Sequence, residues 1–121
     1  MKIRVEEYVR EDGSNPYKGW FDGLHAQAAA KVATATLRLE MGNTSNVKWF
    51  GGIGEVRIDW GPGYRVYLAE DGDTLIVLLG GGTKRRQQAD IARARELHAE
   101  YRVRKATQEK AQAAEAPREE R

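Results

Sequence analysis

The sequence predicts an α+β domain: an antiparallel β-sheet of about four strands, two N-terminal helices packed on one face, and a C-terminal helix. Three observations predict it. Between residues 54 and 79 apolar side chains recur at every second position on either side of Gly61-Pro62-Gly63. Between residues 16 and 41 they recur at every third or fourth position. From residue 84 the chain turns to alanine, charge and good helix formers.

Taken in order, residues 2–10 alternate Ile3 and Val5, then less regularly Val9, with charged side chains, the pattern of a half-buried strand. The run DGSNPY breaks it, and Asn15-Pro16 reads as an N-cap followed by proline at the first helical position. A helix over 16–24 buries Trp20, Phe21 and Leu24. The alanine-rich run from His25 continues helically, with Leu24, Ala28, Val32, Ala35 and Leu39 on one stripe and Gly42 to stop it. After the loop GNTSN, residues 47–50 form at most a short extended segment. The period then becomes two. Val56, Ile58 and Trp60 oppose Glu55, Arg57 and Asp59, and beyond the corner Tyr64, Val66 and Leu68 oppose Arg65, Tyr67 and Ala69. This is a β-hairpin. Residues 74–79, TLIVLL, are apolar on both faces, as a central strand is. A third helix runs from Lys84 to at least residue 103, with a modest stripe of Ile91, Ala94, His98 and Tyr101.

The length of 121 residues suits one domain, placed at residues 1–104, with 105–121 as a charged, alanine-rich extension that is helical or flexible. Cysteine is absent, which excludes a disulfide framework, a thiolate metal site and a cysteine nucleophile. The charged N-terminus has no apolar signal-like run and no stretch approaches the roughly 18 apolar residues of a membrane span, so the expected location is the cytoplasm. Net charge is +2, unevenly distributed. Residues 1–83 carry nine basic and eleven acidic side chains, whereas 84–110 carry nine basic and four acidic. That concentration suits a polyanionic partner, since counterion release drives phosphate binding; a solvated helix surface is the plainer alternative.

By parity, Glu55, Arg57, Asp59, Arg65 and Tyr67 share one sheet face. If Trp60 lies near Tyr64, Asp59 falls near Arg65 and Arg57 near Tyr67. With the two helices on the apolar face, this second face is expected to be open. It then offers two guanidinium groups fixed on strands, whose planar forks suit phosphate oxygens. Mutual neutralisation by Glu55 and Asp59 is the competing reading, and on these residues alone it stays open. Lys84 comes after three glycines at a strand end, where a backbone can approach a ligand. GGGTK is nevertheless no P-loop, because the GxxxxGK[ST] spacing is missing, so no nucleotide cofactor is expected. Two histidines, His25 and His98, far apart, make no metal motif, and no GxSxG signature occurs.

The stretch GNTSNVKWFGGIGEVRIDWGPGYRVYLAEDGDTLIVLLGGGTKRRQQADIARA resembles the phage-derived Gp49-like, HigB-type branch of the RelE/ParE toxin superfamily. The resemblance covers roughly residues 16–98. It rests on Gly42-Asn43, Val47-Lys48, the strand from Gly52 to Ile58, GPGYRVY from Gly61 to Tyr67, Gly81 to Lys84, Gln87, Asp90-Ile91 and Ala94. It implies a RelE-like fold and the toxin of a bacterial or prophage-encoded type II toxin–antitoxin pair, an addiction module killer protein. The implied partner is a cognate antitoxin, of helix-turn-helix DNA-binding type.

RelE-like members cleave messenger RNA on the ribosome and so inhibit translation; the nucleotide's own 2′-hydroxyl attacks the adjacent phosphate, and no cofactor or metal is required. By position, Arg65 matches a phosphate-contacting arginine, Arg57 and Lys84 fall near basic site residues, and Tyr67 would stack on a base or donate a proton. Arg85, Arg86 and Lys48 are further candidate RNA-binding cations. The family's usual GGDKSTQ is here GGTKRRQQ, so an acidic residue becomes Thr83 and two arginines are added. Arginine stays protonated and cannot act as the base, which leaves Lys84, Glu55 or Asp59. ParE-like members share the fold and poison DNA gyrase, and a degenerate toxin keeps only antitoxin binding, so fold alone does not give the target.

Overall fold

The computed structural model describes residues 2–115. In chain order the elements are β1 (Arg4–Glu7), α1 (Pro16–Asp22), α2 (Ala26–Glu40), β2 (Val47–Phe50), β3 (Ile53–Ile58), β4 (Tyr64–Asp71), β5 (Leu75–Thr83), a 3₁₀ turn at Lys84–Arg86, and α3 (Gln87–Glu115). All strands belong to one sheet, ordered β1-β5-β4-β3-β2.

The α+β class is as expected, and the strand number is five rather than about four. Residues 47–50 pair along their whole length with β3, Val47 opposite Val56 and Phe50 opposite Ile53. The sheet is also mixed. β2 to β5 form the antiparallel meander, but β1 lies parallel to β5, with Arg4 opposite Leu75 and Glu7 opposite Leu78. Parallel neighbours need a long crossover, and the chain from α1 through β4 supplies it. β5, apolar on both faces, thereby gains a strand on each edge.

Local signals account for the helix starts. The Asn15 side chain accepts from the Lys18 backbone N–H at 3.0 Å, with Pro16 at the first helical position. His25 caps α2 less conventionally, its Nδ1 accepting from the Ala28 N–H at 3.3 Å. At the hairpin corner Gly61 and Gly63 have φ of 60° and 82°, a left-handed conformation that side chains with a Cβ disfavour.

Both sheet faces carry a core. On the first, Tyr17 of α1 and Ala28, Val32 and Leu39 of α2 pack against Val56, Ile58, Val66, Leu68, Ile76 and Leu78. On the second, Ala94 and Leu97 of α3 pack against Ile53, Tyr67, Ala69, Val77 and Leu79. The expected open second face is therefore covered. The physical reason lies in β4 and β5: Tyr67, Val77 and Leu79 point there and burying them stabilises the fold by roughly 25 cal/mol per Å² of apolar surface removed from water.

A β-bulge joins the two cores. Tyr67 pairs with Gly80 but Leu68 pairs with Leu78, which leaves Leu79 as an extra residue on β5 and re-aims the glycines after it. Gly81 faces α1 and Gly82 faces α3. A Cβ on Gly81 would overlap the Trp20 ring, and one on Gly82 would overlap the Asp90 carboxylate. The glycines let both helices lie close on one strand.

Beyond its sheet contacts α3 is tied down by Glu100, which accepts from Tyr8 at 2.6 Å and from Arg10 at 3.0 and 2.9 Å. Tyr101 and Lys105 both donate to Asp71. Residues 106–115 continue as exposed helix. Part of the predicted 105–121 extension is thus helical, and residues 116–121 lie outside the described residues.

Candidate functional site

The hairpin register places the charged residues in two adjacent cross-strand rows. Lys48, Glu55, Tyr67 and Gly80 form one row, and Arg57, Arg65 and Gly82 the next. Arg57 is thus directly opposite Arg65, and Glu55 opposite Tyr67. The expected register is off by two residues: the corner takes five residues, 59–63, so Asp59 lies beyond the end of β3 and opposes neither arginine. The expected parity stands for Glu55, Arg57, Arg65 and Tyr67.

Lys84 comes to the same corner. Its backbone N–H donates to the Gly63 carbonyl at 3.4 Å, one pleat beyond the Arg65–Gly82 pair. Lys84, Arg85 and Arg86 are exposed on the 3₁₀ turn and, like Arg57, make no ion pair among the described residues. Lys48 is exposed on the edge strand, its ammonium 5.2 Å from the Phe50 ring centre.

Beneath these exposed cations lies a buried polar cluster. Glu55 is 1 % exposed and Arg65 3 %. One Glu55 oxygen, Oε2, stands 3.5 Å from Arg65 Nε and accepts from Gln87 Nε2 at 2.9 Å. Glu55 thus faces the buried Arg65 guanidinium and is hydrogen-bonded to Gln87. Tyr67 is 1 % exposed, so in this conformation its ring cannot stack on a base as the resemblance implies. Burial, and next the nearby Glu55 charge, push its hydroxyl well above the ordinary tyrosine range. Asp90 from the first turn of α3 closes the cluster against Gly82. Burial pushes its carboxyl up, against the opposing pull of Arg86. Arg65 Nε, the Tyr67 hydroxyl and Asp90 Oδ2 are buried without a hydrogen-bond partner. Buried polar groups left so are costly and commonly mark a functional place.

Gln87 and Asp90 are the members of this cluster to which sequence reasoning gives no role. Their signal is positional: both sit within the first turn of a helix just past a glycine triplet, where side chains reach back over the strand end. Among the described residues no group of three or more His, Asp or Glu is placed to hold a metal ion. No described helix is long and apolar enough to cross a membrane.

Fold and site together define a small α+β protein with a cationic corner set over a buried carboxylate–guanidinium pair. No family model matches the chain. A Haemophilus influenzae protein described as uncharacterised is 41% identical to it over 83 residues, 67% of this chain and 84% of that protein. The chain belongs to the same family as that Haemophilus protein.

Proposed function

We propose that this protein is the toxin of a type II toxin–antitoxin system, of the HigB-type branch of the RelE/ParE superfamily, and acts as a ribosome-associated mRNA endonuclease. The observation that carries the reading is the direct opposition of Arg57 and Arg65. Glu55 offsets the charge of Arg65, Arg57 makes no ion pair among the described residues, and a phosphate between the two guanidinium groups would be attracted by both. Lys84, Arg85 and Arg86 at the same corner add to the positive field that draws a polyanion in.

In the proposed reaction the RNA 2′-hydroxyl attacks the adjacent phosphorus. A base takes its proton and the departing 5′-oxygen gains one, leaving a 2′,3′-cyclic phosphate and a free 5′-hydroxyl. Arg57 and Arg65 stabilise the charge that accumulates on the phosphate, and Lys84, exposed at the same corner, is the candidate for moving the proton. Because Arg65 is 3 % exposed, its part requires the first turn of α3 to shift when substrate binds. The cognate antitoxin would neutralise the protein by covering this corner.

The test is induction of the chain without its antitoxin, with mapping of transcript 5′ ends. Codon-linked cuts, and their loss with growth arrest in Arg65→Ala, are the expected result. Intact transcripts with broken DNA would instead support a gyrase poison and overturn the nuclease reading. An inert chain that still binds an antitoxin would be a degenerate toxin.

A further inference from the structure

Around the sheet edge from the arginine pair lies a second feature that the reaction does not use. β2 pairs with β3 only as far as Val56, so no strand covers the outer edge of β3 at Arg57 and Ile58. A groove of about 290 Å³ runs there, between that edge and α2. Its floor is apolar, formed by Ala35, Leu39, Val56 and Ile58. Its rim is mostly cationic: Lys31 and Arg38, two turns apart on α2, and Arg57 are exposed and make no ion pair among the described residues, and they outnumber the one acidic residue of the lining, Asp59. Trp60 closes one end. Its half-buried ring lies 6.4 Å from Tyr64, stacked at 23°, and 5.7 Å from His25, so it is held as a fixed platform.

We propose that this groove holds a nucleotide of the substrate strand next to the cleaved bond, its base against Trp60 and the apolar floor and its phosphates among Lys31, Arg38 and Arg57. This rests on the reading of the chain as an RNA-cutting toxin. Two observations favour single-stranded RNA as the occupant. The groove combines an aromatic plane with unpaired cations, the pairing that single-stranded nucleic acid uses and an acidic peptide has no need of. It also meets the proposed reaction site at Arg57, which lines the groove and stands opposite Arg65.

The experiment uses the full chain and a fluorescent single-stranded oligoribonucleotide carrying 4-thiouridine and 2′-O-methyl groups, which cannot be cut by 2′-hydroxyl attack. Affinity is read by anisotropy across a salt series, and contacts by mapping the photo-crosslinks. Lys31→Glu/Arg38→Glu should weaken binding at least tenfold and flatten the log–log salt slope by about 1.4, at about 0.7 per phosphate contact on a single strand. Crosslinks should fall on Trp60 or on residues 31–39. Both substituted side chains are exposed, so an unchanged melting temperature, with a smaller loss for Lys31→Gln/Arg38→Gln, separates the effect from misfolding. Binding within twofold of the parent, crosslinks confined to residues 84–93, or an acidic peptide in the groove with no RNA bound overturns the proposal. If the variants lose neither RNA binding nor transcript cutting, the groove assignment alone fails. If RNA occupies the groove but transcripts stay intact in cells, the nuclease reading fails and the groove stands as an RNA-binding site only.

Discussion

Replacing Glu55 by glutamine isolates the charge of the buried cluster from its shape. The amide keeps the side chain's size and can still accept from Gln87 Nε2, but it leaves the Arg65 guanidinium buried without a carboxylate. At the observed 3.5 Å separation and an effective dielectric of about 20, the lost attraction is about 5 kcal/mol. Removing one partner of a buried pair costs about 3–5 kcal/mol in other proteins, so the two scales agree. A domain of this size has a total stability of about 5–15 kcal/mol. Glu55→Gln should therefore lower the urea midpoint by on the order of 2 M for a slope of about 2 kcal/mol/M, with the slope itself unchanged. The double variant Glu55→Gln/Arg65→Gln should recover most of the loss, because neither charge is then buried alone. A single variant within about 1 kcal/mol of the parent, or a double variant no more stable than the single, would refute the claim that Glu55 holds a buried charge.

Two further perturbations test the packing around the sheet. Gly81→Ala places a methyl group in the Trp20 ring and should cost about 1–3 kcal/mol, seen as a fall of several degrees in Tm and altered tryptophan fluorescence; an unperturbed emission spectrum would contradict the flat seat of α1 on β5. Hydrogen bonds first from Arg10 and then from Tyr8 hold the Glu100 carboxyl down to about 2, against 4.5 for the free group. Its depressed value means that the tether's contribution is complete above pH about 4.5 and is lost as pH falls towards about 2. Tm should accordingly fall more steeply over that window in the parent than in Glu100→Gln, and parallel curves would show that the contact carries no stability.

Much of the architecture was legible because it is written locally. Asn15-Pro16 specifies the start of α1 through one cap bond and one fixed φ. The Leu24 to Leu39 stripe specifies the buried side of α2, and two-residue alternation specifies which hairpin residues share a face. Pairing across the hairpin differs by two residues from the expected register, since alternation gives the same parity for any even shift and only the geometry of the 59–63 corner selects among them. The short strand 47–50 was ambiguous for a related reason: four residues carry too little periodicity to declare a partner.

By itself, then, the sequence determined the α+β class, the helix starts, and the set of residues that share the Arg57–Arg65 face, because capping, helical stripes and pleat alternation act over a few neighbours. Only the tertiary structure decided that β1 runs parallel beside β5, that α3 covers that face, and that Arg65 is buried with Glu55 and Gln87 while Arg57 and Lys84 remain outside. These are choices between distant segments. The apolar stripe of α3 is weak, and its landing place is set by the side chains that β4 and β5 leave unburied, chiefly Tyr67, Val77 and Leu79, and by Gly82, which lets its first turn approach the strand.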